Sequence, residues 1–200
     1  MNSDPRINSL LDQGNQLFLK KKFSEAISFY EEILQSDSEN VAALNNLGYA
    51  LSKSGQYEKA LSYYNKAIRN NSDDISLLVN IVYCLRKKKK YDKALNFCDQ
   101  VLEKNPNYNV ILYHKERILS SCGKYDDSNH CCDQILRDYP NNWEILYDKA
   151  KNHANLNNSE ECIKILQFAI SINPNLRIKA KNEKSFQKLF GAKLTKVIPS

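Results

Sequence analysis

The residues with the most chemical potential are His130-Cys131-Cys132, with Cys122 nearby. Imidazole and thiolate are zinc ligands, so this is the one place where a metal could sit. The spacing argues against it. Neighbouring side chains on a helix diverge by about 100°, so consecutive cysteines do not aim at one ion. Small apolar thiols that fill a core are the expected role of Cys132, Cys98 and Cys162. His114 and His153 have no nucleophile beside them in a recognisable motif, and read as groove-lining or packing residues. There is no glycine-rich phosphate loop, no His-Glu-x-x-His and no nucleophile elbow. The expectation is a protein that is not an enzyme and needs no metal or cofactor.

The second chemical feature is charge. The chain has 200 residues and a formal net charge of +6. From Arg177 onward lie seven basic residues (Arg177, Lys179, Lys181, Lys184, Lys188, Lys193 and Lys196) against Glu183 alone, so residues 1–176 are balanced at 22 of each sign. The other basic cluster is Arg86-Lys87-Lys88-Lys89-Lys90. Cations suit a helix C-terminus, so a solvated helix end and turn explains it. The balanced body argues against nucleic acid as a partner. No stretch has the roughly 18 consecutive apolar residues of a membrane span. The opening MNSDPRINSL lacks the basic-then-apolar pattern of an export signal. Six cysteines without that signal read as reduced thiols, and the expected location is intracellular, in the cytoplasm.

Helices must position these groups, and the sequence shows which. Aligned at a 34-residue period, the chain falls into columns without an insertion or deletion. Leu10, Leu44, Leu78, Leu112 and Leu146 make one. Gly14, Gly48, Val82, Glu116 and Ala150 make the next, and Leu17, Leu51, Leu85, Leu119 and His153 follow. Then come Phe23, Tyr57, Tyr91 and Tyr125; Ala26, Ala60, Ala94, Ser128 and Cys162; and Tyr30, Tyr64, Cys98, Cys132 and Leu166. Pro106, Pro140 and Pro174 end three units, where the first two have Ser38 and Ser72. Leu44, Leu47 and Leu51 form one apolar stripe at helical spacing; Tyr57, Ala60, Leu61, Tyr64, Ala67 and Ile68 form another. Two such stripes joined by Lys53-Ser54-Gly55-Gln56 bury each other as an antiparallel hairpin. Gly48 is expected to face Ala60 and let the backbones close up. Glu116 breaks its small-residue column, and Ser128 and Cys132 opposite are expected to give it room and a hydroxyl partner. The fourth unit is therefore expected to be the weakest.

These columns resemble the tetratricopeptide repeat, in second-repeat terms Leu44, Leu47-Gly48, Leu51, Ala60, Tyr64, Ala67 and a terminal proline. The resemblance implies an all-α fold, a right-handed α-solenoid of five helix-turn-helix repeats plus a C-terminal capping helix. The expected organisation is a flexible N-terminus over 1–6, repeats at 7–40, 41–74, 75–108, 109–142 and 143–176, a capping helix over 175–190, and a flexible basic tail over 191–200. Ile178, Phe186 and Leu189 are expected to dock the cap.

The resemblance also implies a concave groove lined by the first helix of each repeat. Carried over by register, its columns are Asp12, Asn46, Asn80, His114 and Asp148; Asn15, Tyr49, Tyr83, Arg117 and Lys151; and Leu19, Lys53, Lys87, Ser121 and Asn155. The candidate peptide-binding residues are Asn15, Asn46, Tyr49, Lys53, Asn80, Tyr83, Lys87, His114, Arg117 and Lys151. Asparagine can pair with a peptide backbone whatever its sequence, and tyrosine adds rigid apolar area with a polar tip. One family subset clamps a C-terminal carboxylate with two asparagines and three basic residues. Asn15 and Asn46 match, but Leu11, Ser76 and Asn80 stand at the basic positions, so that clamp is incomplete. The functional expectation is a non-catalytic protein-interaction scaffold or adaptor. Two alternatives stay open: electrostatic binding of nucleic acid or an acidic surface through 86–90 and the tail, and self-association as an assembly module.

Overall fold

The first helix, α1 (Pro5–Leu19), begins where Asp4 accepts a hydrogen bond from Arg6 N and Pro5 supplies a preset φ. The computed structural model describes residues 4–70 and 74–198. Its elements continue as α2 (Phe23–Ser36), α3 (Val41–Lys53), α4 (Tyr57–Asn70), α5 (Ile75–Lys87), α6 (Tyr91–Lys104), α7 (Asn109–Ser121), α8 (Tyr125–Asp138), α9 (Trp143–Asn155) and α10 (Ser159–Ile172). The short helices α11 (Leu176–Lys181), α12 (Lys184–Phe190) and α13 (Leu194–Val197) follow, with a 3-10 turn at Gly191–Lys193. Among the described residues there is no strand, so the all-α expectation is met. The chain divides into two compact units, Met1–Val101 and Leu102–Ser200, with the boundary inside α6.

The 34-residue period is written into the backbone as well as the side chains. Lys21, Gly55, Lys89, Gly123 and Asn157 all have positive φ, between 56° and 79°, and lie 34 residues apart. Each follows the end of a first helix. The amide of the next residue donates back to the carbonyl of Leu17, Leu51, Leu85, Leu119 or His153. The left-handed residue's own amide reaches Phe18, Ser52, Arg86, Ser120 or Ala154. This paired bonding is the Schellman motif, which satisfies helix-end carbonyls and reverses the chain. Leu51, Leu85 and Leu119 thus do two jobs, filling the core and accepting the turn's hydrogen bond, while Leu17 and His153 are half-buried. The opposite ends are periodic too. Asn40, Asp74 and Asn142 cap α3, α5 and α9 through side-chain oxygens, whereas Tyr108, at the same position before α7, makes no such bond.

In the first unit α1 packs on α2, α2 on α3, α3 on α4 and α4 on α5. The glycine column meets the tyrosine column there. A Cβ on Gly14 would lie 2.6 Å from the Tyr30 ring, and one on Gly48 2.7 Å from the Tyr64 ring. Gly48 therefore makes room for Tyr64, not for the expected Ala60. The sequence respects this trade along the register: Gly-Tyr twice, then Val82-Cys98, Glu116-Cys132 and Ala150-Leu166. As the first-helix residue grows, its partner column shrinks. Interiors are close-packed, so one large ring needs an absent Cβ opposite.

In the second unit α7 packs on α8, α8 on α9, α9 on α10, and α12 on α9. The cap differs from the expectation in three ways. It is two helices, α11 and α12, over the span expected as one. Ile178 is 73% exposed; Leu176, Ala180 and Phe186 are the buried residues instead. Phe186 meets Tyr147 edge-to-face, with ring centroids 5.6 Å apart. Finally, residues 191–198 are not a loose tail: Leu194 and Ile198 are buried in the cluster that holds Leu146, Ala150 and Leu166, and Gln167 Nε2 donates to Val197 O. Two apolar side chains among the lysines are enough to dock that segment. Residues 1–3, 71–73 and 199–200, which include Ser72 and the ends of the two expected flexible segments, lie outside the described residues. Residues 4–6 belong to the start of α1 rather than to a loose end.

Candidate binding surface

The first helices of the first unit, α1, α3 and α5, carry the inner columns on adjacent faces. Asn15 is tied in twice: its Oδ1 accepts from Tyr30 Oη at 2.8 Å and from Asn46 Nδ2 at 3.0 Å. Asn80 Nδ2 donates to Asn45 Oδ1 at 3.2 Å. The asparagines are thus rungs between neighbouring helices, which fixes their rotamers before any ligand arrives. Asn45 was not among the expected residues; its place one residue before the Asn46 column hid it.

Next to the rungs runs an aromatic and cationic strip. Phe18 stacks on Tyr49, with centroids 5.0 Å apart, and Tyr57 meets Tyr83 edge-on at 6.2 Å. Lys53 Nζ lies between the two inner tyrosines, 5.0 Å from the Tyr49 centroid and 6.0 Å from that of Tyr83. Lys87 Nζ and the Arg86 guanidinium lie 5.6 and 5.8 Å from the same Tyr83 ring. These are cation–π distances. Burial holds the Tyr83 hydroxyl above its ordinary value, while Lys53 and Arg86 pull it down. Tyr49, Lys53 and Lys87 are exposed, and so is Leu19 at 80%.

The basic run 86–90 is divided by the fold. Lys88 and Lys90 reach back to Glu58 on α4, at 3.4 and 3.0 Å, and their charge holds the Glu58 carboxyl below its usual range. Lys89 takes the left-handed turn position. Only Arg86 and Lys87 turn toward Tyr83. The run is therefore neither one patch nor simply a solvated end.

The inner positions of the second unit are engaged internally. Arg117 lies 3.4 Å from Asp148 and 4.1 Å from the Tyr113 centroid. Lys151 lies 3.7 Å from Glu183 beside the cap. His114, expected to line a groove, is buried. Beneath them sits a polar cluster inside the core. Glu116 is 1% exposed. Ser128 Oγ lies 3.1 Å from Glu116 O and 3.2 Å from its Oε1, so the expected hydroxyl partner is present. Asn152, fully buried, donates to Ser128 Oγ and accepts from Ser120 Oγ, both at 2.8 Å. Glu116 Oε2 has no partner. Burial, then the charge of Asp148, pushes the Glu116 carboxyl up to about 7, against Arg117, Ser128 and Lys151.

The cysteines are all free, with Cys122 exposed and the other five buried. Burial pushes Cys84 and Cys162 up to about 12 and raises Cys132 as well, so these thiols stay protonated at neutral pH. Among the described residues no group of His, Cys, Asp and Glu could hold a metal ion. No described helix is long and apolar enough to cross a membrane.

Helix hairpins repeating every 34 residues, each closed by the same turn and packed on the next within each unit, define a helical-repeat protein. Comparison with known proteins names the repeat. A profile of the tetratricopeptide repeat protein 21 C-terminal ARM domain matches residues 9–123, and one of the Psidin N-terminal TPR repeats region matches 78–195. The chain belongs to the tetratricopeptide-repeat family. A TPR repeat-containing protein of Picosynechococcus is 36% identical over 53 residues, a match spanning 26% of this chain and 14% of that relative. Among solved structures, a tetratricopeptide repeat protein from Parabacteroides merdae superimposes with a TM-score of 0.85 at 20% identity, over 97% of this chain and 78% of that one. MamA gives 0.76 at 18% identity, covering 89% and 96%. YrrB, described as a TPR protein with an unusual peptide-binding site, gives 0.73 at 22% identity, covering 87% and 91%. At such identities these structures share the fold with this chain.

Proposed function

We propose that this chain is a non-catalytic scaffold that receives an extended peptide, or an extended segment of a partner protein, on the face carried by its first helices. The observation behind this reading is the face of α1, α3 and α5. Its asparagines are held by rungs from Asn46 to Asn15 and from Asn80 to Asn45, beside exposed Tyr49, Lys53 and Lys87. Pre-set polar groups next to rigid aromatic area suit a peptide backbone, because little side-chain entropy is left to lose on binding. YrrB, which shares the fold, is described by its peptide-binding site, and this supports the same reading. Of the candidate residues, Asn15, Asn46, Tyr49, Lys53, Asn80, Tyr83 and Lys87 carry this proposal. His114, Arg117 and Lys151 are secondary, because burial or an ion pair occupies them. Six free thiols, five of them buried, fit a reducing intracellular compartment.

Electrostatic capture of a polyanion is less well supported, since Glu58 holds two of the five cations at 86–90. The test is affinity capture of partners by the intact chain beside the Asn46→Ala/Asn80→Ala variant. Each substitution removes one hydrogen bond, worth about 0.5–1.5 kcal/mol, so helical content should hold while capture falls. Undiminished capture by the variant would reject the face. Sedimentation across concentrations tests the self-association alternative.

A further inference from the structure

The first unit does not spread its charge evenly. Residues 1–101 carry 14 basic and 12 acidic side chains, nearly a balance. Yet on the inner columns of α1, α3 and α5 the only acid is Asp12, while the end near the turns carries Lys53, Arg86 and Lys87 around two tyrosines. The nearby acid at the start of α4, Glu58, is committed to Lys88 and Lys90. Lys53 and Lys87 have no carboxylate partner among the described residues; each lies against a tyrosine ring instead. In the second unit the inner cations are Arg117 and Lys151, at the register of Tyr49 and Tyr83, and they are neutralised by Asp148 and Glu183. The inner columns therefore present bare cations, Lys53 and Lys87, in one unit and ion pairs in the other.

We infer that the Tyr49–Lys53–Tyr83–Lys87 strip is the seat of an acidic peptide segment with carboxylates on alternate residues. This rests on the peptide-scaffold reading and adds the chemistry of the occupant. In an extended strand alternate side chains share a face and lie about 7 Å apart. Lys53 Nζ and Lys87 Nζ stand 6.0 and 5.6 Å from the Tyr83 centroid, hence no more than about 12 Å apart, a span that two such carboxylates on flexible acidic side chains bridge. The tyrosine faces hold the ammonium groups in place and offer apolar area to the residues between. The asparagine rungs beside the strip supply donors and acceptors to the peptide backbone. A nucleic acid would need a broad basic field across many phosphates, and a near-balanced unit with one local strip lacks it. The strip also differs from a terminal-carboxylate clamp, whose basic positions hold Leu11, Ser76 and Asn80 here.

The experiment is selection of a random twelve-residue peptide library, displayed on phage, against the immobilised full chain, Lys53→Glu/Lys87→Glu and Asn46→Ala/Asn80→Ala. Circular dichroism and melting check that each variant folds. Lys53 and Lys87 are exposed, so the charge reversal should leave both signals in place. The expected result is enrichment of peptides with Asp or Glu on alternate residues against the wild type. Their affinity should fall at least tenfold on Lys53→Glu/Lys87→Glu, and as much when their acids are changed to Asn and Gln. Enriched peptides without acids that fail only on Asn46→Ala/Asn80→Ala would overturn this inference and leave the scaffold reading standing. Acidic peptides bound equally by wild type and the charge-reversed variant would overturn it too. An oligothymidylate binding more tightly than any selected peptide, with a steep salt dependence, would overturn both.

Discussion

Replacing Glu116 with glutamine should stabilise the second unit above neutral pH and change nothing near pH 4. The carboxyl is 1% exposed, one oxygen has no partner, and Asp148 adds negative charge nearby. It titrates at about 7 instead of its ordinary 4.5. At about 1.4 kcal/mol for each tenfold in proton affinity, the fold prefers the protonated form by about 3 kcal/mol. Because the folded value is raised, that stability is fully present below about 4.5. It is lost as pH rises toward about 7, and is gone above. Glutamine keeps the shape and the Ser128 acceptor and cannot ionise. Its amide nitrogen falls where Oε2 already lacks a partner, so near pH 4 the two proteins should match. Trp143 is the single tryptophan and starts α9 in the same unit, so its fluorescence in urea titrations reports on the right region. His153 works in the opposite direction. Burial and Lys149 lower its value, so its contribution is present above its ordinary 6.5 and lost toward acid. It is common to both proteins, and the difference between their curves isolates Glu116. Parallel stability curves for wild type and Glu116→Gln from about pH 4 to about pH 9 would refute the reasoning.

Two stability predictions concern the repeat geometry, beside the binding tests above. Gly48→Ala should destabilise by up to about 2 kcal/mol: alanine gains about 1 kcal/mol of helix propensity, but its Cβ meets the fully buried Tyr64 ring at 2.7 Å, and overpacking costs about 1–3 kcal/mol. A urea midpoint at or above wild type would show that the ring can slide aside. Lys21→Gly should stabilise by about 0.5–1 kcal/mol, since Lys21 holds φ at 60° in the position where Gly55 and Gly123 serve other repeats, and glycine relieves the Cβ strain. A lower midpoint would mean that the entropy glycine adds to the unfolded chain outweighs that strain.

Some of this was legible in the amino-acid order. The Leu10-to-Leu146 column and its neighbours determine helix hairpins at a fixed period, because only one hairpin geometry buries both stripes of every unit. Ser128 opposite Glu116 was legible for the same reason: once register is known, side chains at matched positions meet. The Schellman turns were only half visible. Gly55, Gly123 and Asn157 announce a left-handed residue, but Lys21 and Lys89 do not, and only the backbone shows that all share it. The partner of Gly48 was misjudged, because facing residues depend on helix stagger and rotamer direction, which a one-dimensional register does not carry.

What the sequence by itself determined is the repeat, since hydrophobic periodicity is local and recurs identically along the chain. What only tertiary structure decided is how charge is distributed. Which of five consecutive cations meet Glu58, that Lys53 reaches Tyr83, and that Lys151 is paired with Glu183, depend on groups 30 or more residues apart in the chain. Coulomb and cation–π interactions act through space over a few ångströms, and only packed helices bring those groups that close. The docking of Ile198 and the exposure of Ile178 follow the same rule: each is apolar, and the surface available to cover it decided its place.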